Sequence, residues 1–181
     1  MEIKAFMKEV SSVKGVTKVD LVRNNVVKCN LDKEGSKDFF VKLKDDFGFE
    51  HCSLITAIDN QPQFELVYHF SAINGSVFVK DSSAAVMAEI HIFLDRDTPT
   101  VESISDLWFG ANWHEREAYE MFGINFENHP NLEKLYLPDG YEGNPMLKSF
   151  ELISREVKPW PGEVDVEGMP EESESDKSAD G

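Results

Sequence analysis

The residue types best suited to chemistry are concentrated in WHEREAYEMFGINFENHP, positions 113–130. A helix starting near Asn112 places Trp113, Glu117 and Glu120 on one face and Arg116, Tyr119 and Phe122–Gly123 on another, so Glu115, Arg116 and Glu117 point in different directions. An acid, a base and an acid presented to several sides beside two aromatics suit charge-assisted bridging, with Arg116 holding carboxylates within or across chains. The plain alternative is a solvated polar face with i,i+4 pairing. Catalytic readings fare worse. A zinc protease needs HExxH, and after His114–Glu115 the second His position is Ala118. Glu117 and Glu120 have i,i+3 spacing but lack the His that a di-iron site pairs with each Glu. An independent enzyme would have to use His114 and Glu117 as an acid–base pair.

Elsewhere the chemistry is sparser. His51, His69 and His91 lie in strand-like stretches, where histidine is ordinarily a packed or half-exposed side chain. Asp95–Arg96–Asp97 is either a carboxylate–arginine cluster or a hydrophilic turn before Thr98–Pro99. Cys29 and Cys52 stand alone, too few for an iron–sulfur cluster or a four-ligand zinc site. No GxGxxG, GxxxxGK[ST] or GxSxG motif occurs. KPWPG at 158–162 forces an extended course that offers Trp160 as an anchor for a partner's pocket.

These residues need a scaffold, and the pattern supplies an α/β (α+β) one: a small mixed or antiparallel sheet flanked by helices, with a long extended C-terminal arm. Ile3, Phe6, Met7 and Val10 recur at helical spacing before Gly15. Residues 16–22 and 26–31 alternate around Arg23–Asn24–Asn25 as a hairpin. Asp32 is placed to cap a helix running to about Phe47, with Phe39, Phe40, Leu43 and Phe47 as its buried stripe and Gly48 as its stop. Stretches 51–59, 64–73 and 84–94 read as an antiparallel meander, with Asn74–Gly75 as a turn. A brief turn near Ser103–Leu107 then precedes the helix of residues 112–122. From Asn128 onward the chain holds six of its eight prolines and little periodicity. The expected organisation is a domain over 1–127, an extended docking arm over 128–169 and an acidic tail over 170–181.

Thirty-four acids against 18 bases give a net charge of −16, which repels phosphate backbones and argues against nucleic acid as a partner. Residues 163–181 carry −7 of that charge. The N-terminus has no secretory pattern and no run of 18 apolar residues occurs, so any membrane association is expected through partners.

The cluster at 113–130 resembles the 30-kilodalton subunits of complex I and its relatives, which include archaeal and chloroplast-type dehydrogenases and membrane-bound hydrogenases. The family signature begins Glu-Arg-Glu, here Glu115, Arg116 and Glu117, then after two spacers an acid and two apolar residues, here Glu120, Met121 and Phe122; a base follows at His129, with Pro130 after it. LDRDTPTVESI (94–104) is similar to the family's strand exit, and YLPDGYEGNP (136–145) to its Pro138 turn and Gly-x-Pro145 element. The chain departs at Glu133, where the family carries a base, and at Leu147 and Ser149, where it carries Arg and Asp around Lys148.

The resemblance implies a non-catalytic structural subunit that docks the large hydrogenase-like (49-kilodalton-type) subunit and the small iron–sulfur subunits, in a complex I-like or energy-converting hydrogenase complex. It implies no cofactor in this chain, with iron–sulfur clusters, flavin and quinone on partners, and a place on the cytoplasmic, peripheral face of the membrane. The residues it marks are Glu115, Arg116, Glu117, Tyr119, Glu120, Gly123, His129, Pro130, Pro138, Pro145, Lys148 and Trp160.

Overall fold

In the computed structural model, residues 3–72 and 86–151 are described. The expectations for Asn74–Gly75, Trp160 and the acidic tail lie outside the described residues.

The first helix, α1 (Ile3–Ser11), buries Phe6 and Val10 as its spacing requires and leads into the hairpin β1 (Val16–Arg23) and β2 (Val26–Leu31). The next helix, α2 (Ser36–Asp45), begins later than Asp32 and ends before Phe47. Gly35 takes a left-handed φ of 76° that interrupts helical winding, and the Asp32 N–H instead donates to Gly15 O at 2.8 Å. Gly48, also at positive φ, closes the helix through its N–H on Lys44 O. The expected stripe of Phe39, Phe40, Leu43 and Phe47 is buried.

The strands β3 (His51–Asp59), β4 (Gln63–Ala72) and β5 (Val86–Asp95) pair antiparallel in sequence order. Full sheet order is β1-β2-β5-β4-β3, and β2 joins β5 in parallel, so the sheet is mixed. Its inward alternation (Val27, Cys29, Leu66, Tyr68, Phe70, Ile90, Ile92) meets Phe6, Phe39, Phe40 and Leu43 in one core. An aromatic knot ties the layers: Phe40 lies 4.8 Å from Tyr68, and Phe70 lies 4.6 Å from Trp108, whose indole N–H donates to Phe49 O. On the other face of the sheet, His91 is bracketed by carboxylates, Nδ1 2.6 Å from Glu65 and Nε2 2.7 Å from Glu89.

Past the sheet come β6 (Thr100–Glu102), α3 (Ala111–Phe122) and β7 (Asn125–Glu127). The β6–β7 pair is a two-stranded parallel ribbon that periodicity did not reveal, pinned by buried Val101 opposite Phe126. The chain divides into a unit of Met1–Phe150 and one of Glu151–Gly181. Residues 128–150 thus belong with the first unit, and the boundary expected after residue 127 falls inside it.

Candidate functional site

The site is α3 and what is bound to it. Ala111, Glu115, Ala118 and Phe122 fall on one stripe and are buried against the domain, which puts a carboxylate in the middle of an apolar face. Glu115 is fully buried, yet its oxygens are not orphaned. Oε1 accepts the Ile104 N–H at 2.8 Å and Oε2 the Ser103 hydroxyl at 2.6 Å, with Ser105 Oγ 2.8 Å behind Ser103. The carboxylate therefore closes the loop between β6 and α3.

The His129 ring is also fully enclosed, with Nε2 3.8 Å from Glu115 Oε2 and 3.4 Å from Asn112 O. Its Nδ1 accepts the Asn131 N–H at 3.1 Å, so the ring proton sits on Nε2 in a neutral tautomer. Burial pushes Glu115 up to about 7 against the pull of its two hydrogen bonds. Burial likewise pushes His129 down, helped by the Arg116 charge and opposed by the Asn112 carbonyl. Despite their proximity, both groups move toward neutrality, and each is hydrogen-bonded to its own loop partners, not paired to the other.

Glu120 is 2% exposed and faces away from the domain, toward residues 135–137. Its Oε2 accepts the N–H groups of Leu135 (3.0 Å) and Tyr136 (2.9 Å), and Oε1 that of Leu137 (2.6 Å). The run of donors stops at Pro138, which has no N–H and whose carbonyl accepts Tyr141 N–H in the following turn. Burial alone would raise the Glu120 carboxyl; the three N–H groups and Lys134 outweigh it and hold the group below the usual carboxylate range.

The expected shared face of Trp113, Glu117 and Glu120 is not realised, since Trp113 is 59% exposed while Glu120 is covered. A helical wheel gives directions, and here residues 128–150 fold back over one of them. Nor does Arg116 hold carboxylates. Half-buried, it donates through Nε to Glu133 O (2.9 Å) and through Nη2 to Lys134 O (3.1 Å), with its guanidinium 5.2 Å over the Trp113 ring. Glu115 and Glu120 are already taken by backbone amides and the Ser103 hydroxyl, and Arg116 takes backbone carbonyls. Glu115 and Glu120 are likewise not the solvated face of the plain alternative.

The strap continues along α3. Asn144 donates Nδ2 to Glu120 O at 2.9 Å, and Met146 N–H donates to Met121 O. Gly123 is doubly required: it ends α3 at φ 78°, and a Cβ there would meet Asn144 Oδ1 at 3.0 Å. Half-buried Tyr119 and Pro145 flank this junction, while exposed Lys148 contributes its backbone N–H to Asp59 Oδ2 at 2.9 Å. Asp59 is buried and gripped by both Arg96 nitrogens, one at 3.1 Å, and Arg96 lies 5.0 Å over Phe64. The guanidinium beside Asp59 holds its carboxyl well below the usual range, with Lys148 and Gln61 N–H assisting against burial. Within Asp95–Arg96–Asp97 the turn is formed, Asp97 N–H closing on Asp95, while Arg96 takes its carboxylate from Asp59 on β3.

Sequence reasoning missed Asp59, Asn144 and Ser103. Asp59 carried a signal: β3 turns Ile55, Ala57 and Asp59 inward, and a carboxylate in that series needs a partner. His114 and Glu117 are half-buried, and neither side chain makes a hydrogen bond or ion pair with a described residue. Pro130 is exposed beside Trp113 in a shallow hollow, and Phe109 next to it is 90% exposed. Among the described residues no group of three or more His, Cys, Asp or Glu is arranged to hold a metal ion. Nor is any helix among them long and apolar enough to cross a membrane. Glu115 and Glu120 are engaged by the chain's own loops, through four backbone N–H groups and the Ser103 hydroxyl.

The chain is similar to known proteins across this whole region. Residues 29–156 match the family described as respiratory-chain NADH dehydrogenase, 30 Kd subunit. The C subunit of the F(420)H(2) dehydrogenase of Methanosarcina mazei is 34% identical over 128 residues, 69% of this chain and 75% of the relative. The C subunit of the NADH-quinone oxidoreductase of Citrifermentans bemidjiense is 30% identical over 76% of this chain and 82% of the relative. Among solved structures, the trypsin-resistant fragment (1-134) of Nqo5 is 27% identical with a TM-score of 0.60, covering 73% of this chain and all of that one. A chain of the archaeal membrane-bound sulfane sulfur reductase, a respiratory membrane complex, shares the fold at a TM-score of 0.70 and 19% identity, over 91% of this chain and all of that one. The chain belongs to the respiratory-chain NADH dehydrogenase 30 kDa subunit family, the C subunits of complex I-like oxidoreductases.

Proposed function

We propose that this chain is a non-catalytic structural subunit that docks the large hydrogenase-like subunit of its complex and helps order the quinone module. The observation that carries the reading is where the charges of the helix go. Glu115 and Glu120 are taken up by five donors of the chain's own loops, and Arg116 by two of its carbonyls. Among the described residues, the two motif carboxylates that are buried, Glu115 and Glu120, thus serve to hold the fold together, which suits a structural role. Meanwhile Phe109, Trp113, Tyr136 and Met146 are exposed around the same helix and strap, at 90, 59, 64 and 56%. Large apolar side chains held outward by a rigid frame belong to subunit surfaces.

On this reading the iron–sulfur clusters, flavin and quinone reside on partner subunits, and electron donor and acceptor are chosen there. The chain sits on the cytoplasmic, peripheral side of the membrane and reaches the bilayer only through the complex. Trp160 in KPWPG is the anchor this reading offers to a partner's pocket. The test is purification of the native complex with and without this chain. Loss of the chain should leave the large subunit unassembled or quinone reduction abolished, while the isolated chain has no redox activity. Turnover by the isolated chain would reject the proposal.

A further inference from the structure

Phe109 is the most exposed large hydrophobic side chain among the described residues, and it does not stand on a plain surface. It forms the wall between two hollows. One, of about 360 Å³, is lined by Asp106, Asn112, Trp113 and Pro130 among others; the second, of about 370 Å³, runs past Glu50, His51 and Trp108. Asp106 also borders both.

The ridge is held stiffly from beneath. Trp108 is locked in the core by its indole N–H on Phe49 O, and Asn112 N–H donates to Phe109 O. Trp113 is backed by Arg116, whose guanidinium is itself tied to two carbonyls. Rigid aromatics lose little freedom on binding, which is what makes them effective anchors.

Charge decides what sort of partner fits. Lys37 and Lys44 at this end are turned to internal use, Lys37 on Asp106 and Ser103 O, Lys44 on Leu107 O and over the Trp108 ring. Glu50 at the second hollow, Glu117 one turn beyond Trp113 and Glu127 beside Asn128 make no ion pair among the described residues. They stand on a chain of net charge −16. Acids around the exposed Phe109 ring favour guanidinium and ammonium groups, which pair with the carboxylates and lie over that ring.

We infer that the Phe109–Trp113 ridge is the seat of a basic, extended segment of a neighbouring subunit, which straddles Phe109 and places Arg or Lys side chains in the two hollows. The inference rests on the structural-subunit reading and deepens it by naming the contact face and the chemistry that meets it.

The test uses the whole complex. Wild-type chain and Phe109→Ala are co-expressed in equal amounts, and their ratio in purified complex is read by mass spectrometry. Because Phe109 is exposed, the variant should keep the thermal midpoint of the free chain. Loss of a central aromatic anchor predicts roughly a 30-fold preference for wild type. In parallel, a photocrosslinking amino acid at position 109 should join a peptide rich in Lys and Arg from another subunit. Equal incorporation, or a crosslink to lipid, to a second copy of this chain or to an acidic or neutral peptide, overturns the inference. The subunit reading survives those results as long as the chain still co-purifies. If neither form enters any complex, both fall.

Discussion

Replacing Glu120 isolates one carboxylate that holds the strap to α3. It accepts three N–H bonds at 2.6–3.0 Å from consecutive residues, and hydrogen bonds to an ionised acceptor contribute about 1.5–3 kcal/mol each before non-additivity. Tyr136 is exposed, so water recovers part of what its N–H loses, and the total for Glu120→Ala should be about 3–5 kcal/mol. Glu120→Gln keeps one acceptor oxygen but turns an NH2 toward backbone donors, for a cost of about 2 kcal/mol. Either loss is a large part of a domain's typical stability of roughly 5–15 kcal/mol. Amide hydrogen exchange at 135–137, with urea unfolding alongside, should show those N–H groups deprotected first, in the order Ala, Gln, wild type. Since the folded carboxyl lies below its unfolded value, its contribution is present above that value and lost as pH falls through the lower one. The gap between wild type and variant should therefore close in acid. Exchange at 135–137 unchanged in Glu120→Gln at neutral pH would refute the reasoning.

Glu115 works with the opposite sign. Its folded value of about 7 lies above the unfolded one, so the native state binds the proton more tightly and stability falls by about 3 kcal/mol as pH rises from roughly 4.5 to 7. Glu115→Gln should remove that slope in thermal midpoints across the window and leave the contrary His129 contribution, which is lost as pH drops below its ordinary 6.5; an unaltered slope would exclude Glu115 as its source. Arg116→Lys loses the two-pronged grip on Glu133 and Lys134 carbonyls and the cover of Trp113, so unfolding should move by about 1–2 kcal/mol, against no shift if those bonds are idle. Deleting 170–181 should leave co-purification with the large subunit intact and deleting 152–181 abolish it, with the thermal midpoint of the 1–151 chain close to wild type; loss of co-purification on deleting 170–181 alone would make the acidic tail the contact.

The sequence disclosed the elements and much of the site for physical reasons. Ala111, Glu115, Ala118 and Phe122 keep a helical period, and Gly123 ends it, so α3 could be read. The meander announced itself by alternation. The parallel pairing of β2 with β5 could not be read, because α2, β3 and β4 intervene and no local pattern records which strand fills the gap. Three-residue strands such as β6 and β7 are too short to show a period. Arg116 and Glu120 stand out in the sequence by residue type, but their partners are backbone groups, which leave no trace in side-chain identity. Phe109 escaped notice because a lone aromatic in a loop carries no spacing at all.

Co-purification from native membranes is the most direct measurement of the central claim. Full-length chain bearing an affinity tag is expressed in place of the wild type, membranes are solubilised in mild detergent, and the recovered subunits are counted by quantitative mass spectrometry. A structural subunit should bring down the hydrogenase-like large subunit and its iron–sulfur partners in fixed stoichiometry, and show no redox activity once stripped from them. Recovery of the tagged chain alone, as a monodisperse species with activity of its own, would contradict that role.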